Sequence, residues 1–402
     1  MIKYYKQSLI SLFKQVHVLC GDPYGKRENC LEIQERLIKR ITYVETRIHK
    51  LKIVIKDLQK RLALQQHVRL SKVEAQAIKD KISYYQNKID EYQLLLVIFR
   101  QIGDALAFIY FDKWDIKPLA FKQSPGFVSQ KKGLKQELAS LRRIFVLGHV
   151  AILNDLTSCL RYGDISIPGG GRPLFFEVKS SNKTNSRIRR QIKKARQISD
   201  YLSKDKTENL YGIEGEFWRI GIHSKEANNI NQLNSIISTA LKNGAKHAEV
   251  EKGLHYIVST GINLDGLNPS INKYRREGIV SIVNDIRFNN TGYYPFTLSF
   301  YDPEALYEFY RGKLHIAILV DCEVMKRKLE AKGLEMKVLS DEDSIIEIHS
   351  LDHRKDEIGY LRISRHLFGR LFAEFISLEW LLDEIIYGAE NMQVEFEASD
   401  KL

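Results

Sequence analysis

The segment YGDISIPGGGRPLFFEVKSS, residues 162–181, consists of two short apolar runs on either side of a Pro-Gly-Gly-Gly turn. Two such runs joined by a glycine-rich turn predict a β-hairpin. Side chains alternate between the two faces of a strand. In the second run this alternation predicts one apolar face that lies against the core, formed by Leu174, Phe176 and Val178. The opposite face carries Glu177 and Lys179, two charged residues that burial of the strand does not explain.

The predicted hairpin brings two carboxylates together. Asp164 precedes the first run and Glu177 ends the second, so both lie on one face at the strand ends furthest from the turn. Neighbouring carboxylates repel each other and raise a pKa, a penalty that a divalent cation removes. Hard oxygen ligands and partial hydration suit Mg²⁺ or Mn²⁺. Lys179 would then lie beside a metal-bound water, where it could help to deprotonate the water and stabilise charge on a phosphate.

A strongly basic segment follows the hairpin. Residues 182–204 have the pattern of a helix, and residues 180–196 contain no acidic side chain. A cation-rich helix beside a metal site is where a nucleic-acid backbone would run. The candidate phosphate contacts are Lys183, Arg187, Arg189, Arg190, Lys193, Lys194 and Arg196. The alternative is a solvated helix face that binds no ligand.

The order of Asp164, a spacer, Glu177, one residue and Lys179 resembles the PD-(D/E)xK nuclease superfamily, whose members have a restriction-endonuclease-like core. The resemblance covers roughly residues 101–204. It implies that the two acids bind Mg²⁺ or Mn²⁺, with the main-chain carbonyl of Val178 as a further ligand. It also implies that Lys179 assists the attacking water.

Two further features strengthen the resemblance, one of which is Gly163 directly before Asp164, as is often seen in the superfamily. Gln197 and Tyr201 reproduce the QxxxY pattern of the helix that follows the core strands in the exonuclease-like branch of the superfamily. The resemblance implies that Gln197 orients Lys179 or the water, and that Tyr201 packs beneath. An acid on a preceding helix often completes such a site, and we expect this acid to be Asp104. The alternatives are Glu137 and Asp155.

A second set of residues fits the same pattern. Asp321 follows an apolar run, and Glu335 and Lys337 follow it at a similar spacing. The linker between them looks helical, and the next residues are Ser-Asp-Glu-Asp, which would repel a phosphate. Sequence favours the first set, but an enzyme built on the second remains an alternative.

Residues 31–100 have the periodicity of long helices. Apolar residues alternate in steps of three and four in a first seam, formed by Leu37, Ile41, Val44, Ile48, Leu51, Ile55, Leu58 and Leu62. A second seam is formed by Ile78, Ile82, Tyr85, Ile89, Tyr92 and Leu96. Ser71 and Glu74 have the spacing of a capping box, which predicts the start of the second helix. The pattern predicts either an intramolecular helical hairpin or a coiled coil that binds a second copy or a partner protein.

The C-terminal half alternates strand-like and helix-like runs. The strand-like runs are residues 217–224, 254–262, 294–301 and 314–321. The helix-like runs are residues 230–244, 302–312 and 363–388, the last of them long and apolar. In the second of these, Asp302 has the position of an N-cap before Pro303. This alternation predicts a mixed α/β domain of unknown role.

Composition limits the class of protein. The chain has 402 residues, is 44% hydrophobic and 28% charged, and has a formal net charge of +12, which favours an anionic partner. The four cysteines form no CxxC pair, so neither a disulfide framework nor a zinc site is predicted. Lys6 and Lys14 interrupt the N-terminal apolar residues, and no stretch reaches the roughly 18 uncharged apolar residues of a membrane span. We expect a soluble, cytoplasmic protein with no membrane partner.

These observations predict an α/β or α+β protein in three parts. A helical hairpin or coiled coil spans residues 1–100, a restriction-endonuclease-like core spans residues 101–206, and a mixed α/β domain spans residues 207–402. The resemblance implies a metal-dependent nuclease, DNA being the expected substrate. Long helices joined to such a core are similar to bacterial antiviral defence or restriction systems. The alternative is a non-catalytic coiled-coil protein that binds nucleic acid through a degenerate nuclease core.

Overall fold

The computed structural model describes residues 2–64, 71–120, 126–131, 133–169, 172–178, 186–219, 221–261, 278–341, 343–351 and 360–399. Within these ranges only the backbone is described for residues 186–192, 212 and 391–399. Helices account for 60% of the structure and strands for 19%, which makes the protein α+β. The chain divides into two compact units, Met1–Arg219 and Ile220–Leu402.

The first unit combines long helices with a small sheet. Its helices are α1 (Lys6–Gly21), α2 (Arg27–Ala63), α3 (Lys72–Tyr110), α4 (Lys113–Ile116), α5 (Leu134–Val146) and α6 (Ser186–Lys204). Its strands are β1 (Ile152–Leu153), β2 (Ile165–Gly169), β3 (Arg172–Phe176), β4 (Lys206–Glu208) and β5 (Glu216–Trp218). Single turns of 3₁₀ helix cover Ile2–Tyr5, Lys117–Ala120, Val128–Gln130, Asn154–Leu156 and Leu210–Gly212. Strands β1, β2 and β3 form an antiparallel sheet in that order, and β4 pairs with β5.

The predicted helical hairpin is confirmed. Helix α2 packs against α3, and seam residues of both helices are buried, among them Leu37, Ile55, Ile78 and Leu96. The predicted capping box is present: the Ser71 hydroxyl accepts from the Glu74 N–H, and the Glu74 carboxylate accepts from the Ser71 N–H. The heptad seam is therefore an interface within one chain.

Helix α3 runs through the predicted boundary between residues 100 and 101. Most of its side chains from Leu95 to Tyr110 are buried, and residues 1–219 form one compact unit. The helical hairpin and the sheet therefore share a core. Among the described helices, α3 has the length and composition of a membrane span, but 61% of its most apolar window is buried within the protein, as in a core helix.

The predicted β-hairpin is formed by β2 and β3. Ile165 pairs with Phe176, and Gly169 pairs with Arg172 at the turn. The predicted core face of β3 is wrong, because Leu174 and Phe176 are each 47% exposed. Strand β3 is the edge of the sheet. Its apolar face borders a groove whose other wall is α6, so α6 covers this face only in part.

The second unit contains two antiparallel sheets. Strands β6 (Ala245–Glu251), β7 (Leu254–Thr260), β9 (Leu314–Asp321) and β8 (Gly278–Ile282) form one sheet in this spatial order. Strands β10 (Leu334–Val338), β11 (Ser344–Ser350) and β12 (Leu361–Ser364) form the other. The helices are α7 (Ile230–Asn243), α8 (Val283–Ile286), α9 (Phe296–Ser299), α10 (Pro303–Tyr310), α11 (Cys322–Glu330), α12 (Arg365–Ala373) and α13 (Leu378–Ser399). Helix α7 packs on β6 and β7.

Several predictions for this unit are confirmed and three are corrected. The predicted helices at 230–244 and 302–312 and the strands at 254–262 and 314–321 are present, and Asp302 caps α10. The predicted strand at 217–224 is reduced to the short β5, which ends at Trp218. The predicted strand at 294–301 is instead the helical turn α9. Phe296 and Phe300 lie one helical turn apart, and both rings contact Phe309.

The predicted long helix over residues 363–388 is broken. It begins as β12, continues as α12 and resumes as α13. Phe375, in the break, has a left-handed φ of 56° while its ring is fully buried. Glu374 ends α12 and forms a buried ion pair with Arg370, Oε2 to Nε at 2.7 Å, so charged residues of this apolar segment meet inside the unit.

A substitution at Gly103 tests how closely α3 packs against the turn at 154–156. A Cβ atom at this position would lie 2.0 Å from the backbone oxygen of Leu156, which belongs to the turn at 154–156. We expect Gly103→Ala to lower the free energy of unfolding by about 1–3 kcal/mol, because either the helix or the turn must shift. Urea unfolding followed by circular dichroism measures this change.

The matched control is Gly21→Ala. Gly21 is the last residue of α1, and an added Cβ there meets nothing within 4 Å. We expect this variant to stay within about 0.5 kcal/mol of the unchanged protein or to gain slightly. Equal stability of the two variants would contradict the close approach between α3 and the turn.

Candidate functional site

A cavity of about 520 Å³ lies beside the start of β2 in the first unit. Its wall includes Lys131, Asp155, Arg161, Asp164 and Glu177. Both acids predicted from the hairpin therefore border one concave, polar space. Concave sites with a few converging polar groups are where ligands bind in most proteins.

The hairpin positions the two acids. Ile165 pairs with Phe176 as the pair furthest from the turn, so Asp164 and Glu177 lie just beyond the paired ends of the two strands. The Asp164 N–H donates to the Phe176 carbonyl at 2.8 Å. Gly163 has a φ of 73°, and a Cβ there would lie 2.9 Å from the same carbonyl, so only glycine fits this approach without strain.

The Asp164 carboxylate has a different partner on each oxygen. Oδ2 accepts from the Val178 N–H at 2.9 Å, which ties the residues after β3 to the start of β2. Oδ1 accepts from the Lys131 ammonium at 2.8 Å. Val178 thus contacts the site through its N–H, and the role of its carbonyl as a metal ligand stays a prediction.

Lys131 is the centre of a carboxylate cluster. Its Nζ lies 2.8 Å from Asp155 Oδ2, 2.8 Å from Asp164 Oδ1 and 2.9 Å from Glu137 Oε1. Burial by itself lowers the pKa of Lys131, but the interactions with Asp155, Asp164 and Glu137 outweigh burial and raise that pKa well above its ordinary value. The lysine therefore carries its charge at neutral pH and acts as the cation of the cluster.

Glu137 is the most buried acid of the cluster. Its side chain is 2% exposed, and burial raises its pKa, although Lys131 acts in the opposite direction. Its Oε2 atom is buried and has no hydrogen-bond partner in the part of the chain that the structure describes. A buried carboxylate oxygen without a partner costs free energy, so this atom marks unused capacity to bind a cation.

Two buried polar residues of α2 hold the segments that carry the cluster. Gln34 pairs with β1 as a strand would: its amide donates to the Ala151 carbonyl at 2.9 Å and accepts from the Leu153 N–H at 2.8 Å. Glu45 accepts from the Ser129 N–H at 2.7 Å, two residues before Lys131. Sequence reasoning missed both residues. The sequence offered a signal for Gln34: the heptad seam, extended back three residues from Leu37, places this polar residue at a position that is otherwise apolar.

Asn154 fixes the turn that carries Asp155. Its side-chain amide donates to the Tyr162 carbonyl at 2.6 Å and accepts from the Ser166 hydroxyl at 2.8 Å. Its own N–H donates to the Asp164 carbonyl at 2.9 Å. Asp155 and Asp164 are therefore held relative to each other by one residue that bonds to both sides of the turn.

The prediction that Asp104 completes the site is wrong. Its buried carboxylate accepts from the N–H groups of Ser158 and Cys159, at 2.7 and 3.0 Å, and from the Ser158 hydroxyl. These bonds cap the loop after the turn at 154–156, and Asp104 does not line the cavity. The two alternatives, Glu137 and Asp155, are the acids that join Asp164.

The predicted role of Gln197 is also corrected. Its side-chain amide donates to the carbonyls of Glu208 and Asn209, at 2.8 and 3.2 Å, so it ties α6 to β4. Tyr201 is buried on the same helix. Lys179, the predicted partner of Gln197, lies outside the described residues.

The basic helix is present as α6. Lys193, Lys194 and Arg196 are exposed, and Arg196 lines the groove between α6 and β3 together with Glu177. Arg187, Arg189 and Arg190 lie on the part of α6 for which only the backbone is described, and Lys183 lies outside the described residues. Of the described cations of α6, Arg196 thus borders the groove that Glu177 also lines.

The rival set in the second unit does not form a site. Asp321 is the N-cap of α11 and accepts from the Glu323 and Val324 N–H groups. Glu335 and Lys337 lie on β10, which belongs to a different sheet from the strand that ends at Asp321. Both are exposed, with their charged groups 3.9 Å apart. Capping and a weak surface ion pair account for all three residues.

Within the described ranges, no group of three or more His, Cys, Asp or Glu side chains is arranged to hold a metal ion directly. The carboxylates of Glu137, Asp155 and Asp164 surround an ammonium group instead. No family model, curated protein or solved structure matches this chain. Its function is therefore inferred from the residues of the site alone.

Asp104 tests the corrected assignment. We expect Asp104→Asn to lower the free energy of unfolding by about 1–3 kcal/mol, because an amide cannot accept from all the donors around it. Urea unfolding gives this value. Asp200→Asn, at an exposed position of α6, is the control and should change stability by less than about 0.5 kcal/mol. Two variants of equal stability would show that Asp104 does not hold the loop at 157–159.

Proposed function

We propose that this protein is a metal-dependent nuclease that hydrolyses phosphodiester bonds, with DNA as its substrate. The observation that carries the proposal is that Asp155, Asp164 and Glu177 line one cavity, while Glu137, Asp155 and Asp164 all bond to Lys131 on its wall. Four acids that α5, the turn at 154–156 and the two strand ends of the hairpin bring into one region are costly to hold together. Such an arrangement is typical of a site that binds a cation.

The residues fit Mg²⁺ or Mn²⁺ by their chemistry. All four are carboxylates, the ligand type that these hard cations prefer, and the buried Oε2 atom of Glu137 has no described partner. Asp164 and Glu177, with Asp155 and Glu137, would hold the ion. When bound, the ion would supply a nucleophilic water at neutral pH and neutralise charge on the phosphate.

The residues of the chain supply binding and orientation. The cavity wall includes Arg161, a residue type that stays protonated and suits phosphate oxygens. On the other side of Glu177, Arg196 lines the groove beside β3, and Lys193 and Lys194 are exposed on the same helix. A nucleic-acid backbone lying along α6 would pass next to Glu177. Under the proposal Lys179 keeps its predicted role in deprotonating the attacking water.

A second candidate function is favoured by one specific observation. Lys131 already neutralises much of the negative charge of the cluster, so the carboxylates do not need a divalent ion in order to coexist. The protein would then bind nucleic acid through α6 without cleaving it, and the α2–α3 hairpin would bind a second copy or a partner protein. The two functions differ in one respect: the nuclease needs Glu177 and a divalent ion for its activity, whereas binding through α6 needs neither.

Cleavage assays separate the two functions. Supercoiled, linear and single-stranded DNA, and RNA, are incubated with Mg²⁺, Mn²⁺ or EDTA. We expect cleavage with either ion and none with EDTA. Glu177→Gln should lower the rate by roughly 100-fold or more, the scale of losing one electrostatic contact at a reacting centre. Glu214→Gln, at an exposed position of the same unit, should cleave like the unchanged protein.

The opposite result would be metal-independent binding of nucleic acid with no cleavage by the unchanged protein, and with the same affinity in Glu177→Gln. That result would reject the nuclease in favour of the second function. Cleavage that persists undiminished in Glu177→Gln would place the reaction elsewhere in the chain.

The salt dependence of binding tests the role of α6. Each phosphate contact adds about 0.9 to the slope of log K against log salt concentration. The double variant Lys193→Gln/Lys194→Gln should therefore flatten the slope by roughly 1–2 in fluorescence anisotropy titrations of labelled DNA. Lys204→Gln, at the C-terminal end of α6, should leave the slope nearly unchanged. An unaltered slope in the double variant would make the basic face a solvated surface.

A further inference from the structure

The environment of Lys131 resembles that of a bound cation. Its ammonium group has three N–H donors, and three carboxylate oxygens lie 2.8–2.9 Å away, one from each of Glu137, Asp155 and Asp164. Charge-assisted hydrogen bonds of this length are strong. All the donors of the lysine are thereby used, and it holds three segments of the chain at one point.

The cluster offers more negative charge than Lys131 neutralises. The described salt bridges of Glu137 and Asp164 are to Lys131, whereas Asp155 also interacts with Arg100 and Arg161. Glu137 Oε2 is buried without a described partner, and the lysine has no donor left for it. A divalent ion accepts six or more oxygen ligands and carries twice the charge, so it would satisfy this set more completely.

The position of Lys131 allows its side chain to leave. Lys131 follows the helical turn Val128–Gln130, whose Ser129 N–H is anchored by Glu45, and the lysine side chain is 31% exposed on the cavity wall. A rotation of this side chain would move the ammonium from the carboxylates into the cavity. The backbone anchor at Ser129 would remain in place.

We propose that Lys131 occupies the cation position of this site and competes with the divalent ion, so that metal binds only as the ammonium moves out. This inference rests on the proposed function in that the ion is the Mg²⁺ or Mn²⁺ needed for cleavage. The displaced ammonium would enter the cavity, where a phosphate group could receive it. Nucleic acid and metal would then favour each other's binding.

The direct test is Mn²⁺ binding by the full-length protein without nucleic acid, measured by electron paramagnetic resonance. Lys131→Met removes the competing charge while keeping an unbranched side chain that is one atom shorter. We expect it to bind Mn²⁺ at least about tenfold more tightly than the unchanged protein. Lys131→Arg keeps the charge and should bind within about threefold of the unchanged protein. Lys135→Met, at an exposed position of α5, is the matched control and should not change the affinity.

A second measurement does not depend on whether the variants fold. Amine acetylation of the unchanged protein is followed by mass spectrometry with and without saturating Mn²⁺. We expect Lys131 to be protected in the absence of the ion and to react faster in its presence, while the exposed Lys135 reacts at one rate throughout. Continued protection of Lys131 with Mn²⁺ bound would overturn the proposal.

The outcomes separate this inference from the nuclease. Equal or weaker Mn²⁺ binding by Lys131→Met, or no Mn²⁺ binding by any variant, would mean that the lysine is a fixed ion-pair partner and would overturn the inference. If cleavage still depended on Glu177 in that case, the proposed nuclease function would stand although the inference about Lys131 had failed. Tighter Mn²⁺ binding by Lys131→Met, without cleavage of any substrate by the unchanged protein, would support the metal site and reject the nuclease function.

Discussion

The ammonium group of Lys131 is the point at which three segments of the first unit meet. It bonds to Glu137 of α5, to Asp155 of the turn before β2 and to Asp164 at the start of β2. Carboxylates at these separations cannot all be ionised unless a cation lies between them. The geometry of the candidate site therefore depends on one positive charge, and any ligand of the cluster must replace it or bind beside it.

The long helices contribute to the site through polar groups that they bury. Gln34 extends the sheet by bonding to the Ala151 carbonyl and the Leu153 N–H along one edge of β1. Glu45 anchors the turn that precedes Lys131, and Asp104 caps the loop at 157–159. Each of these bonds satisfies a backbone group that the interior would otherwise leave without a partner. Gly103 allows α3 to approach the turn that carries Asp155. The helical hairpin is thus part of the scaffold of the site, which explains why it shares one compact unit with the sheet.

Sequence predicted the features that local patterns encode. Heptad spacing and the Ser71 capping box gave α2 and α3. Period-two alternation with a glycine-rich turn gave the β2–β3 pairing and the placement of Asp164 and Glu177 at the strand ends away from the turn, where both line one cavity. The acid that completes the cluster could not be predicted. Asp104, Glu137 and Asp155 each precede the hairpin, and no local pattern distinguishes them as candidate ligands. The packing of α3 against the loop at 157–159 places the Asp104 carboxylate on that loop and away from the cluster. Lys131 was missed because its partner Asp164 lies 33 residues away. The half-exposed face of β3 was mispredicted because alternation does not reveal which strand is the edge.

The most direct test of the central claim is the location of a divalent ion in the protein. Crystals soaked in Mn²⁺ are measured at an X-ray energy where manganese scatters anomalously. The proposed site predicts one anomalous peak among Glu137, Asp155, Asp164 and Glu177, with the Lys131 ammonium displaced into the cavity. An anomalous map without a peak at these carboxylates, with Lys131 still bonded to them under saturating Mn²⁺, would contradict a metal-dependent site here.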